Sequence, residues 1–159
     1  MRRVIFLLAF ALVLAYAQGK MTPEQRQAIL DYQLTLPRAN SLITAMEAMT
    51  KYVVGLPNYA DSVRKAATMT PAQRVAQVES DPKAMAILKQ NNLTARDYLI
   101  GVPALRMALM LAQDVTLADG GRAGGNMVAS PANVTFAKAN LATLKPKMDA
   151  ADGLTPAKK

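Results

Sequence analysis

Apolar residues recur at helical spacing along most of this chain of 159 residues. The clearest stripe runs from Ala39 to Val53, where apolar residues lie three and four positions apart and most polar residues fall between them. No stretch alternates apolar and polar residues in the manner that is typical of a strand. The pattern therefore predicts an all-α fold.

Most of the predicted helices begin with one signal, a Thr, Asp or Ser that is followed at once by proline. The first residue caps the helix, and proline takes the first helical position, where no N–H is needed. The four pairs are Thr22-Pro23, Thr70-Pro71, Asp81-Pro82 and Ser130-Pro131. Gln25 and Gln73 complete capping boxes with the two threonines, and Thr94 with Asp97 forms a third. These signals predict an irregular bundle of about five helices.

The segment from Thr94 to Ala118 is predicted to be the central helix. Between Tyr98 and Ala112 its one charged residue is Arg106, and a helix that is apolar on all sides belongs inside a bundle. Gly101 and Pro103 lie within it, and the proline cannot donate to the carbonyl group four residues earlier. We therefore expect a kink in this helix.

Arg106 is the first candidate for function, because a guanidinium among apolar residues needs a carboxylate, water or an anionic ligand. One interpretation is structural, with Arg106 at the surface or paired with an acid such as Glu47 or Asp97. The other is a pocket that the kink opens and that flexible methionine side chains help to line. The candidate ligand-binding residues are Arg106, Met46, Met49, Tyr98, Val102 and Met110.

The composition excludes the commonest catalytic and metal-binding side chains. The chain has no cysteine and no histidine, so it has no disulfide, no thiolate nucleophile and no imidazole base or ligand. Its few carboxylates show no spacing that indicates a pair of catalytic acids. We predict a protein that is not an enzyme, with no catalytic residues, no metal site and no cofactor.

The amino terminus has the organisation of a signal peptide. Arg2 and Arg3 precede the apolar run from Val4 to Leu14, and Ala15-Tyr16-Ala17 fits signal peptidase cleavage. We expect a cleaved signal peptide at residues 1–17, a helical domain at 18–146 and a flexible polar tail at 147–159. The mature protein is then periplasmic or secreted, without a permanent membrane span. The glycines between residues 120 and 125 predict a flexible linker before the last helix.

The charge of the chain is basic, with 19 Lys and Arg against 11 Asp and Glu. Removal of Arg2 and Arg3 with the leader leaves 17 against 11, a formal charge of +6. Such a surface suits anionic lipids or other anionic envelope components. Nucleic acid is not an expected partner, because the protein is exported and lacks an aromatic-rich basic stretch.

One hexapeptide is nearly repeated, as MTPEQR at residues 21–26 and MTPAQR at residues 69–74. Each copy is similar to the Leu-Thr-x-x-Gln motif of the Spy/CpxP periplasmic chaperones and stress regulators, with methionine in place of leucine. A wider resemblance, through residues 81–98 and their following helix and then 130–136, is to small exported bacterial helical proteins of unassigned function. This resemblance implies an exported helical protein and supplies no site residues.

Two functions follow as hypotheses. The first is an exported, non-enzymatic binding or accessory protein for an apolar or anionic amphipathic ligand, with lipid or a similar molecule as its partner. The second is a periplasmic protein-interaction module of the stress-response or chaperone type, with envelope proteins as partners. Exposed apolar surface in the free protein would favour the second.

Overall fold

A computed structural model describes residues 21–113 and 128–154 of the chain. Within these ranges the protein is all-α, as predicted, and it has seven helices where about five were expected. They are α1 (Pro23–Asp31), α2 (Leu36–Val54), α3 (Tyr59–Ala67), α4 (Pro71–Glu79), α5 (Pro82–Gln90), α6 (Ala95–Gln113) and α7 (Pro131–Gly153). The predicted signal peptide and the glycine linker lie outside the described residues.

The helices begin where the capping signals predict. Thr22 and Thr70 each form a complete capping box with the glutamine three residues later. The third box is also present, because the Asp97 N–H donates to Thr94 Oγ1 at 3.0 Å and the Thr94 N–H donates to Asp97 Oδ2 at 3.2 Å. These bonds satisfy N–H groups that a helix start leaves without a partner.

Helix α3 is the main element that the sequence signals miss. It follows Asn58, whose side chain makes no capping hydrogen bond, and it has no proline in its first turn. Its inner face buries Ser62 and Ala66. Burial against the rest of the protein therefore takes the place of a local start signal.

Helix α7 continues beyond the predicted domain boundary at residue 146. Pro146 lies inside the helix and removes one backbone hydrogen bond, yet the helix extends to Gly153. Met148 and Ala151 are 3% and 1% exposed, so the last two turns bury apolar surface that offsets the lost bond. Residues 147–153 belong to the helical domain, and residues 155–159 of the predicted tail lie outside the described part.

Helix α6 is packed between several other helices. It contacts α1, α2, α4, α5 and α7, and most of its residues between Tyr98 and Ala112 are buried. Pro103 lies within the helix, and the kink there stays a prediction. Over the described ranges, no helix is long and apolar enough to cross a membrane.

Helix α1 is held on α6 by a small second core. Ile29 of α1 packs with Ala104 and Met107 of α6, and all three are at most 9% exposed. The Tyr32 ring follows α1 and approaches α6 at Gly101, where a Cβ atom would come within 2.6 Å of the Tyr32 hydroxyl oxygen. Glycine at this position lets the α1–α2 link lie directly on α6.

Candidate functional site

The predicted ligand-binding residues do not form one accessible site in the described structure. Met46, Met49, Tyr98 and Val102 are each no more than 3% exposed and belong to the main core. Met110 is 44% exposed and lies outside that core cluster. Four of the six residues therefore serve as interior contacts between helices.

Arg106 has an internal partner. Its Nη2 atom forms an ion pair with Asp152 Oδ1 of α7 and also lies 3.7 Å from Met46 Sδ. Neither acid named from the sequence fills this role, since Glu47 binds Lys51 and Asp97 binds Arg38. Arg106 thus joins α6 to α7 and to α2.

Burial dominates the electrostatics of this pair. The Arg106 side chain is 21% exposed, and desolvation lowers the pKa of Arg106 despite the attraction of Asp152. Desolvation likewise raises the pKa of Asp152, against the attraction of Arg106. Both directions indicate that loss of hydration outweighs the Coulomb attraction.

A groove lies elsewhere, between α1 and α4 and over α6. Its volume is about 530 Å³, and none of the six predicted residues lines it. The lining consists of Thr22, Glu24, Gln25 and Ala28 of α1 and its cap, Pro71, Ala72, Arg74, Val75, Ala76 and Glu79 of α4, and Arg96, Leu99 and Ile100 of α6. Sites for small ligands commonly have volumes of about 300–1,000 Å³.

The groove forms because α1 and α4 pack side by side against α6 and only short side chains lie between them. Helices α1 and α4 both pack against α6, and Leu99 and Ile100 lie on the part of α6 between them. Alanines at 28, 72 and 76 reach only a short distance into the gap. Together with Val75 they give the groove a mostly apolar surface.

The repeated hexapeptide contributes to both sides of the groove. Glu24 of the first copy and Ala72 of the second occupy the same position of the repeat, and both line the groove. Both copies therefore lie at the groove, although most of their lining positions differ. The repeat marks the start of both helices that form the sides of the groove.

Four charged residues lie among the lining. Arg74 is 7% exposed, whereas Glu24, Glu79 and Arg96 are exposed. A hydrogen bond from the Thr22 side chain lowers the pKa of Glu24, so this carboxylate is ionised at neutral pH. The groove thus combines apolar walls with fixed positive and negative charges, an arrangement that can hold an amphipathic molecule.

Comparison with known protein families, with curated proteins and with solved structures found no match to this chain. The resemblances to exported helical proteins and to the Spy/CpxP motif stay predictions. The groove that α1, α4 and α6 form is therefore the candidate functional site.

Proposed function

We propose that this protein is an exported, non-enzymatic binding protein and that the groove between α1, α4 and α6 receives an apolar or amphipathic ligand. The groove replaces the surroundings of Arg106 as the ligand site. The observation that carries this proposal is the convergence of three helical faces on a mostly apolar space of about 530 Å³.

Burial of a ligand on this surface supplies the driving force. Val75, Leu99 and Ile100 are apolar, and Leu99 is already 5% exposed, so it forms the base of the groove. Each 100 Å² of apolar surface that a ligand removes from water contributes about 2.5 kcal/mol before the cost of association. A ligand with an apolar body is therefore favoured over a fully polar one.

The proposal is tested by filling the groove from each wall. The variants Ala28→Phe and Ala76→Phe place a ring in the space, and Ala142→Phe, on an exposed face of α7 outside the lining, is the matched control. Binding of the neutral fluorescent probe Nile red is measured by titration for all four proteins.

We expect saturable binding to the unaltered protein and to Ala142→Phe, and affinity lower by about tenfold or more, ~1.4 kcal/mol, for both filled variants. Thermal unfolding of each variant confirms that it is folded. Equal binding by all four proteins would show that the probe binds somewhere other than this groove.

The compartment is part of the same proposal. Residues 1–17 are proposed to direct export and to be removed, which leaves Gln18 as the mature amino terminus in the periplasm or outside the cell. Amino-terminal sequencing of the protein recovered from the periplasmic or culture fraction of a bacterial host tests this. A full-length chain retained in the cytosol would contradict it.

A kink at Pro103 would change the shape of the groove. The proline cannot donate to the carbonyl of Leu99, and Leu99 lines the groove. A bend at this turn would tilt the base of the groove relative to α1 and α4. This is the structural role that we propose for the proline.

The protein-interaction module is the second candidate function. The exposed residues Glu24, Ala72, Ala76 and Glu79 leave the groove accessible to a segment of another protein. This function predicts that the mature protein suppresses aggregation of an unfolded client at low molar ratio and that Ala76→Phe abolishes the effect. A groove that binds Nile red without protecting clients favours the first function.

A further inference from the structure

We propose that the groove selects an aliphatic chain that ends in a carboxylate, and that Arg96 binds the carboxylate. This inference rests on the proposed function and adds to it the chemical class of the ligand and the residue that recognises it. The probe that represents this class is dodecanoate.

Arg96 lies on the same face of α6 as the base of the groove. Leu99 and Ile100 follow it by three and four positions, so the three side chains form one stripe on the helix. An aliphatic chain lying along Leu99 and Ile100 would therefore bring its end group to the guanidinium, one turn towards the start of α6.

No group of the described structure pairs with the exposed Arg96 side chain. Arg38, Arg64 and Arg106 each pair with an aspartate, whereas the side chain of Arg96 has no hydrogen bond or ion pair within the described ranges. Arg96 is also the second residue of α6, where the helix dipole disfavours a positive charge. An anion in the groove would supply the missing partner.

The rim of the groove limits the charge of the end group. Arg74 and Arg96 are offset by Glu24 and Glu79, so the lining is neutral in sum and has no surplus positive charge to balance a group with several negative charges. A guanidinium forms two parallel hydrogen bonds with a carboxylate, and this geometry distinguishes a carboxylate from an alcohol or an ammonium group. A single carboxylate matches both requirements.

The experiment compares three probes with the same chain length and different end groups. Dodecanoate, dodecanol and dodecyltrimethylammonium are titrated below their micelle-forming concentrations into the mature protein, and binding is measured by displacement of Nile red and by calorimetry. We expect the carboxylate to bind about tenfold more tightly than the alcohol, and the ammonium probe to bind most weakly.

Arg96→Gln tests the residue, and Arg64→Gln, an exposed arginine outside the lining, controls for the loss of one positive charge. We expect Arg96→Gln to reduce the affinity for dodecanoate about tenfold and to leave the affinity for dodecanol unchanged. Arg96→Lys should reduce the affinity for dodecanoate by an intermediate amount. Arg64→Gln should change the affinity for neither probe.

The outcomes separate the two proposals. If dodecanoate and dodecanol bind equally, and Arg96→Gln changes the affinity for neither, the role of Arg96 is overturned. The proposal of an apolar binding groove is not affected by that result. Failure of all three probes and of Nile red to bind the unaltered protein overturns the proposed function, and the inference falls with it. An equal loss in Arg64→Gln and Arg96→Gln overturns recognition by Arg96 in favour of a general effect of net charge.

Discussion

The side-chain amide of Asn133, in the first turn of α7, donates a hydrogen bond of 2.6 Å to the backbone carbonyl oxygen of Tyr32. The same amide accepts a bond of 3.0 Å from the backbone N–H of Leu34, and Asn133 is 3% exposed. One side chain thus satisfies two backbone groups in the link between α1 and α2, which has no helical bonds of its own.

Asn133→Asp is expected to lower the free energy of unfolding by about 2 kcal/mol, because the carboxylate loses the donor and faces the Tyr32 carbonyl oxygen. Urea denaturation measures the change. Asn140→Asp is the control on the same helix, since Asn140 donates only to the carbonyl of Phe136 within α7. Equal losses in the two variants would contradict a special role for Asn133.

Gly101→Ala is expected to destabilise the protein although alanine favours helices. The new Cβ would lie 2.6 Å from Tyr32 Oη and 2.8 Å from Leu42 Cδ2, and such overpacking costs about 1–3 kcal/mol. The gain in helix propensity is about 1 kcal/mol, so a net loss should appear in thermal unfolding.

Gly153→Ala is the matched control for that variant, because nothing lies within 4 Å of the added atom at the end of α7. Its stability should be unchanged or slightly higher. A stable Gly101→Ala protein would show that the Tyr32 ring can move away from α6 at little cost.

The ion pair between Arg106 and Asp152 predicts opposite results for single and double variants. Asp152→Ala leaves a mostly buried guanidinium without its carboxylate and should cost about 2 kcal/mol. Arg106→Met combined with Asp152→Ala removes both charges and their desolvation, so its stability should return to within about 1 kcal/mol of the unaltered protein.

Asp149→Asn is the control for the Asp152 variant, since Asp149 pairs with Lys145 on the exposed side of the same helix. Its effect should stay within about 0.5 kcal/mol. A double variant as unstable as Asp152→Ala would mean that the methylene groups of Arg106, rather than its charge, account for the loss.

Tyr52 predicts a loss of stability in alkaline solution. Its hydroxyl donates to Asp81 Oδ2 at 2.9 Å, and burial, followed by Asp81, raises the pKa of Tyr52 from 10 to about 12. Between these values the unfolded chain loses the tyrosine proton first, so the stability present below pH 10 is lost as the pH rises through about 12.

Tyr52→Phe should therefore be less stable by about 1 kcal/mol at neutral pH, and its deficit should shrink as the pH rises from 10 to 12. Urea denaturation at several pH values, with tyrosinate absorbance followed in parallel, measures both effects. A deficit that does not change with pH would contradict the assignment to this hydroxyl.

The helix starts were predictable because each capping bond joins residues two or three positions apart. Helix α3 was missed because Asn58 provides no such bond. The end of α7 was misplaced because Pro146 is a local stop signal, whereas the burial of Met148 and Ala151 depends on other helices. Capping and stop signals are therefore visible in the sequence, whereas the burial between helices that replaces or overrides them is not.

The same distinction between local and tertiary interactions explains which parts of the candidate site could be predicted. The sequence identified Arg106 as a charge in need of a partner, but Asp152 lies 46 positions away on another helix. The groove depends on α1 and α4 meeting α6 side by side, and alanines on separate short helices do not reveal that arrangement. The repeat of residues 21–26 at 69–74 was visible, although its meaning required the fold.

The Asn133 amide makes one wall of the groove dependent on the last described helix. A chain synthesised from its amino terminus contains every lining residue before α7 exists, yet it lacks the side chain that fixes the link after α1. In the course of synthesis, that wall should consequently be fixed only once α7 has formed. Completion of the carboxyl-terminal helix is then the step that completes the groove.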